Sequence, residues 1–221
     1  MSDELREFLA RARGTAATAK ILSLDELRSG REIVTARWGL AAMRGRLVEL
    51  SARGATATLT TAIEIVVEAQ AAAEPACWIT LGAATFYPPD AADGGVDLSA
   101  LVVVRATDAA CAARAAEKIL RSGAFGLVVI DLVSGAREAA LPAAHQGRLV
   151  TLAQAHDAAV VCLTEKTAET ASLGSLVSLR AEALRARNPA GFDVKVRVIK
   201  DKRTGPGFTR SSAVRGPAGF K

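Results

Sequence analysis

At 221 residues, half of them apolar and 23% charged, the chain is long enough for one sizeable domain or two small ones, and its composition excludes wholesale disorder, a collagen-like repeat or a coiled-coil rod. The longest β-like apolar runs, residues 101–104 and 158–163, stop far short of the roughly 18 residues that a membrane helix needs, which points away from a membrane protein. The net charge of +5 is concentrated at one end: residues 192–221 hold eight basic and two acidic residues, +6, which leaves −1 for the remainder. Such a block meets nucleic acid or an acidic protein face, or else is a solvated tail.

The first residues, MSDELREFLARARG, are acidic and then amphipathic, unlike a signal peptide, so a cytoplasmic protein is expected. Cys77, Cys111 and Cys162 sit singly in apolar segments, as reduced core thiols do, and the two histidines, His145 and His156, are eleven residues apart. No metal site or cofactor is expected from these residues.

Residues 3–13 predict a short helix with Asp3 and Glu4 at its positive end, Arg11 and Arg13 at its negative end and Gly14 beyond. Leu5, Phe8 and Leu9 form its narrow apolar stripe, which docks either on a partner or back on its own core. Residues 14–22 read as a connector, so that 1–22 stand apart from a core over 23–203 and a disordered basic tail over 204–221. Ser23 and Glu26 make a capping box for a brief second helix ending before Gly30.

From residue 45 the pattern becomes strand and helix in alternation. A strand over 45–51 leads through a Gly/Ala/Thr loop to a buried helix over 60–73, followed by a strand over 76–81, a Pro-bearing loop over 86–95 and a strand over 100–105. A helix from Asp108 to Ser122, closed by Gly123, carries Cys111, Ala115 and Ile119 at four-residue steps on its expected inner face. A strand over 127–132, a helical segment around 141–157 and a strand over 158–163 complete the alternation. The expected fold is therefore α/β, with a mostly parallel central sheet covered by helices. Residues 176–184 and 192–200 alternate with period two and have no helix between them, which predicts antiparallel C-terminal strands with one face in water. Beyond Asp201, GPGFTRSSAVRGPAGFK shows no periodicity and reads as unfolded in isolation.

The loop after the first strand occupies the place of a phosphate-binding P-loop, which requires G-x-x-x-x-G-K-[ST]. Its glycines let backbone amides curl around phosphates, its lysine reaches the β and γ groups, and its hydroxyl holds magnesium. All four defining positions differ here: Ala52 and Ala57 stand for the glycines, Thr58 for the lysine and Leu59 for the hydroxyl. ATP chemistry is not expected from such a loop.

The segment GRLVELSARGATATLTTAIEIVVEAQ resembles the P-loop segment of the RecA recombinase family. The likeness continues through CWITLGAATFYPPDA, LRSGAF, LVVID, VVCLTEK and VKVRVIKDK, covering roughly residues 45–203. The resemblance implies a RecA-like core without ATPase activity. Gly82-Ala83-Ala84 stand at the family's catalytic glutamate, and Thr164-Glu165 at its polar switch glutamine. Asp131 matches the magnesium-associated aspartate but has no loop to support, and reads otherwise as a turn cap. The connections that match the family's DNA-binding loops look abbreviated, so DNA is expected to be a weak or indirect ligand. Lys200 and Lys202 fall where RecA proteins carry two lysines that reach the nucleotide of the next filament subunit; the alternative is a solvated strand end.

Among RecA-like proteins without a P-loop, the chain most resembles the ImuA family, on EIVTARWGLAAMRGRLVEL (32–50), the degenerate loop, the KDK strand and the basic tail. That resemblance implies a role in damage-induced translesion synthesis beside an ImuB-type polymerase homologue and, indirectly, an error-prone replicative-type polymerase subunit. It also implies contact with RecA, whose filaments such a chain would cap or restrain. The alternative is a SulA-like division inhibitor acting on FtsZ. The tail repeats GPGF (205–208) and GPAGF (216–220), so that Phe208, Arg210, Arg215 and Phe220 interleave aromatic and cationic groups. They serve a protein partner, preferred here, or stack on unpaired bases.

Overall fold

The computed structural model describes residues 37–82, 86–133, 140–189 and 191–214. The chain divides into a unit of residues 1–35 and a unit of residues 36–221, and only the second is described here. Leu5, Phe8, Leu9, the Ser23 capping box, Arg215 and Phe220 lie outside the described residues.

After the short helix α1 (Leu40–Met43) come β1 (Arg46–Ser51), α2 (Thr58–Ala71), β2 (Ala76–Leu81), α3 (Pro88–Asp93), a 3-10 turn (Leu98–Ala100) and β3 (Leu101–Ala106). The chain continues through α4 (Ala109–Arg121), β4 (Leu127–Asp131), α5 (Ala143–Ala155), β5 (Ala159–Thr164), β6 (Leu179–Asn188), β7 (Gly191–Asp201) and β8 (Thr209–Val214). One eight-stranded sheet results, in the order β3-β2-β4-β5-β1-β6-β7-β8. Strands β3 through β6 in that order run parallel, and β7 and β8 are antiparallel additions.

The order explains which helix covers which face. The chain moves from β1 outward to β2 and β3, then returns through β4 and β5 to β6, and right-handed crossovers place outward and return connections on opposite faces. Accordingly α2 and Ala91 of α3 pack with Val48, Leu50, Trp78, Val129, Val161 and Leu163 in one core layer. Residues of α4 and α5 pack with Leu47, Ile79, Ile130, Val160 and Cys162 in the other. β1, β2, β4 and β5 are buried along their whole length, as two-side-covered parallel strands must be. β7 keeps the period-two burial of a strand with one wet face.

The structure corrects four expectations. The Pro-bearing loop contains α3, since Pro88 and Pro89 occupy the first helical positions, where a missing N–H costs nothing. The inner face of α4 is set by Ala112, Ala113, Ala116 and Leu120; Cys111, Ala115 and Ile119 form the adjacent, half-buried row. The strand expected over 176–184 begins at Leu179 and extends to Asn188; it runs parallel to β1 and antiparallel only to β7, and its first half is fully buried instead of alternating. Residues 209–214, expected to be part of a disordered tail, form β8. This strand has little apolar content of its own, but its backbone pairs with β7 from Arg197↔Thr209 to Phe192↔Val214, after a turn in which Gly205 and Gly207 take positive φ. Main-chain pairing supplied by a neighbour is invisible to hydropathy.

Candidate functional site at the strand crossover

Between β1 and β5 the chain departs in opposite directions on opposite faces, and the ends of those adjacent strands are where open parallel sheets bind ligands. Two connections meet there: the loop over 52–57 after β1, and residues 165–178 after β5.

The first connection is spent on its own fold. The N–H of Ala57 donates to the Ala183 carbonyl at 2.9 Å, and the N–H of Arg185 donates to the Ala55 carbonyl at 2.8 Å. Thr56 thus forms an antiparallel bridge with Leu184 of β6. The N–H groups of Thr56 and Thr58 are turned inward as well, toward the Gly54 carbonyl at 2.8 Å and the Thr56 hydroxyl at 3.2 Å. Ala52 and Ala57 are buried, Thr58 is buried with its hydroxyl 3.0 Å from that of Thr56, and Leu59 is 43% exposed on the first turn of α2. The amides that would cradle a phosphate therefore serve as a short strand edge.

The second connection is fastened by a charge cluster that the sequence reading passed over. Glu49 lies in the middle of β1 and is fully buried. Its Oε1 accepts from the Thr164 hydroxyl at 2.9 Å, and its Oε2 accepts from the Ser172 hydroxyl and the Leu173 N–H, both at 2.8 Å. Lys166 Nζ stands 3.4 Å and Arg180 Nε 3.6 Å from the carboxylate. The Arg180 guanidinium also donates to the Ser51 hydroxyl and to the Thr167 and Thr170 carbonyls. A glutamate between the apolar Leu47, Val48 and Leu50 of a strand expected in the sheet was the signal available, because a buried charge must find partners.

Around this cluster the matched positions fall into place. Thr164 is a ligand of Glu49, whereas Glu165 is exposed. Asp131 is buried at the end of β4, and its Oδ1 accepts the N–H of Val133 at 3.0 Å, a turn cap. Gly82, at positive φ, donates its N–H to the Ala106 carbonyl at 3.0 Å; residues 83–85 are not described. Lys200 pairs in register with Arg180 and is half-buried. Burial first, and the nearby Lys202 charge second, hold its amine below the ordinary lysine range, against an opposing pull from Glu49. Lys202 is exposed, and its Nζ donates to the Ser175 carbonyl at 2.6 Å. Both lysines thus border the connection over 165–178.

The tail residues are distributed differently. Phe208 packs against the α2-side core beneath the Arg37 guanidinium, 5.6 Å from the ring centre. Arg210 pairs with Glu64 of α2 at 3.3 Å. Burial raises the Glu64 carboxyl despite that partner. These two residues belong to the folded sheet and are not brought together with Lys200 and Lys202. Among the described residues, no group of three or more His, Cys, Asp or Glu is placed to hold a metal ion, and no helix is long and apolar enough to cross a membrane.

The model of the RecA N-terminal domain family matches residues 14–155. No curated protein matches the sequence.

Proposed function

This chain belongs to the RecA N-terminal domain family, and from that premise we propose that it is a non-catalytic RecA-like accessory protein that acts by binding other proteins in damage-induced translesion synthesis. The observation that carries the non-catalytic reading is the pairing of Ala55 and Ala57 with β6, in a loop that also lacks the lysine and hydroxyl of a P-loop. Opening the loop for phosphate would cost two backbone hydrogen bonds, each worth about 1 kcal/mol, and the exposed Arg53 at its start does not stand at the P-loop lysine position, which Thr58 fills.

A role in protein assembly is supported by β3, the edge strand of the sheet among the described residues. β3 exposes Val102 and Val103, on opposite faces of the strand, with Tyr87 and Leu98 also exposed. Arg105 is the one charge on this strand, and an apolar edge guarded at one end only is a template for another chain. The partners proposed from the ImuA resemblance are an ImuB-type polymerase homologue and RecA itself. On this reading Lys200 and Lys202 are lent to an active RecA protomer, whose filament is restrained because no nucleotide site is offered in return. Lys202 would exchange its exposed bond to Ser175 for that contact at little cost.

Calorimetric titration with magnesium and ATP is expected to show no heat of binding; a micromolar affinity would overturn the non-catalytic reading. Affinity capture from DNA-damaged cells is expected to recover the ImuB-type protein or RecA, whereas recovery of FtsZ would replace this reading with that of a division inhibitor.

A further inference from the structure

The two return helices carry charge and space that nothing above uses. α4 and α5 pack side by side over the second core layer, and a shallow open groove runs along α5 beside the end of α4, lined by Arg121, Ala144, Gly147, Arg148, Thr151 and Leu152. α4 and α5 carry Arg114, Lys118, Arg121 and Arg148 against a single carboxylate of their own, Glu117, while the N-cap Asp108 is close enough to Arg114 to feel its charge. Glu117 Oε1 lies 3.1 Å from Arg148 Nε and 2.6 Å from His145 Nδ1, which braces Arg148 at the rim with 53% of its side chain exposed. No ion pair among the described residues involves Arg121 or Lys118. The helix dipole accounts for Lys118 and Arg121 in the last turn of α4, but not for Arg148 in the middle of α5.

Gly147 is the second observation. A glycine inside a helix costs about 1 kcal/mol relative to alanine. Among the described residues no neighbour requires it, since a side-chain carbon there would meet only Leu176 Cδ1, at an ordinary 3.8 Å. Leu176 is itself 39% exposed. Packing among the described residues therefore leaves the glycine unexplained, whereas close approach of another molecule to the helix backbone explains it.

We propose that the α4–α5 groove docks an acidic, leucine-bearing segment of a partner protein. Carboxylates of the segment pair with Arg121 and Arg148, and an aliphatic side chain rests over Gly147 beside Leu152 and Leu176. A phosphate polymer fits less well, because α4 and α5 contain no Phe, Tyr or Trp on which a base could stack, and the imidazole of His145 is held by Glu117. The site is independent of the lysine pair and of the identity of the partner proposed above.

The test is fluorescence anisotropy with a labelled peptide of repeated Ala-Glu-Glu-Leu units, with labelled oligothymidylate as the competing probe. The wild-type chain is expected to bind the peptide, and Arg121→Glu to weaken it by about tenfold or more, the scale of one lost charge-assisted contact. Arg187→Glu, on the exposed part of β6, is expected to leave binding unchanged. Gly147→Ala is expected to raise the unfolding midpoint while weakening the peptide, a split that a purely structural glycine would not produce. The proposal is overturned by no peptide binding to the wild type, by unchanged affinity in Arg121→Glu or Gly147→Ala, or by oligothymidylate binding that Arg121→Glu abolishes in place of the peptide's.

Discussion

The carboxylate of Glu49 accepts the backbone N–H of Leu173 at 2.8 Å, across 124 residues of chain. One buried side chain in the centre of the sheet thereby fixes the course of the connection over 165–178, together with Ser172, Thr164, Lys166 and Arg180.

Removing one member of such a cluster leaves its opposite charges buried without compensation. Glu49→Ala is expected to destabilise the fold by about 3–5 kcal/mol. Limited proteolysis under native conditions is expected to cut first within residues 165–178. Chemical denaturation and mapping of the first cleavage site check both outcomes; cleavage elsewhere, at unchanged stability, would mean that the connection is held by other contacts.

Asp201 gives the fold an acid-sensitive element. Its carboxyl is raised by burial, but the hydrogen bonds from Thr204, the Arg203 N–H and Arg46 outweigh that and hold it below the ordinary 3.8. A depressed carboxyl contributes stability that is present above the ordinary value and lost as pH falls through the folded one. Unfolding midpoints measured across the acid range are expected to decline below about pH 4. In Asp201→Asn this component of the decline is expected to be absent, and stability at neutral pH to be lower, because Arg46, only 3% exposed, keeps an acceptor but loses its buried counter-charge.

The thiols divide by burial. Cys77 is pushed up to about 12 by desolvation, and Cys162 is raised by burial and then by the nearby Glu49 charge, whereas Cys111 is only half-buried on the flank of α4. In the native protein a disulfide reagent is expected to modify Cys111 alone, with Cys77 and Cys162 reacting only on unfolding. Mass spectrometry of the labelled peptides reads the result.

β8 changes how the basic end of the chain must be probed. Deleting residues 204–221 removes the outer partner of β7 and, with it, the packing of Phe208 on the core and the Arg210 pair with Glu64 of α2. That truncation is expected to lower the unfolding midpoint and to promote association through the bared β7 edge. Deleting only residues 215–221 is expected to leave the midpoint unchanged, so it is the variant in which any loss of partner binding can be assigned to Arg215 and Phe220. Comparison of the two midpoints checks the distinction.

Most of the layered sheet was legible because buried parallel strands and their crossover helices announce themselves as apolar runs of different length and period. The degenerate loop was legible too, since Ala52, Ala57, Thr58 and Leu59 replace a spacing with a known physical purpose. What pattern could not supply were relationships between distant strands. Nothing local in TRSSAV indicates that β7 needs a neighbour, nothing near Ala57 indicates that its amide meets Ala183, and the inner face of α4 shifted by one row because Cys111 and Ile119 outweigh alanines in hydropathy but not in fit.

The hydrogen bonds from the loop over 52–57 to β6 also bear on how the protein responds to its surroundings. A loop ordered by nucleotide gains stability by mass action, in proportion to the logarithm of free ligand over its dissociation constant. Here Ala183 and Arg185 take the ligand's place from within the same chain, at a fixed effective concentration. On the non-catalytic reading, the fold is then indifferent to the energy charge of the cell, and its abundance and its partners are left as the only controls on its activity.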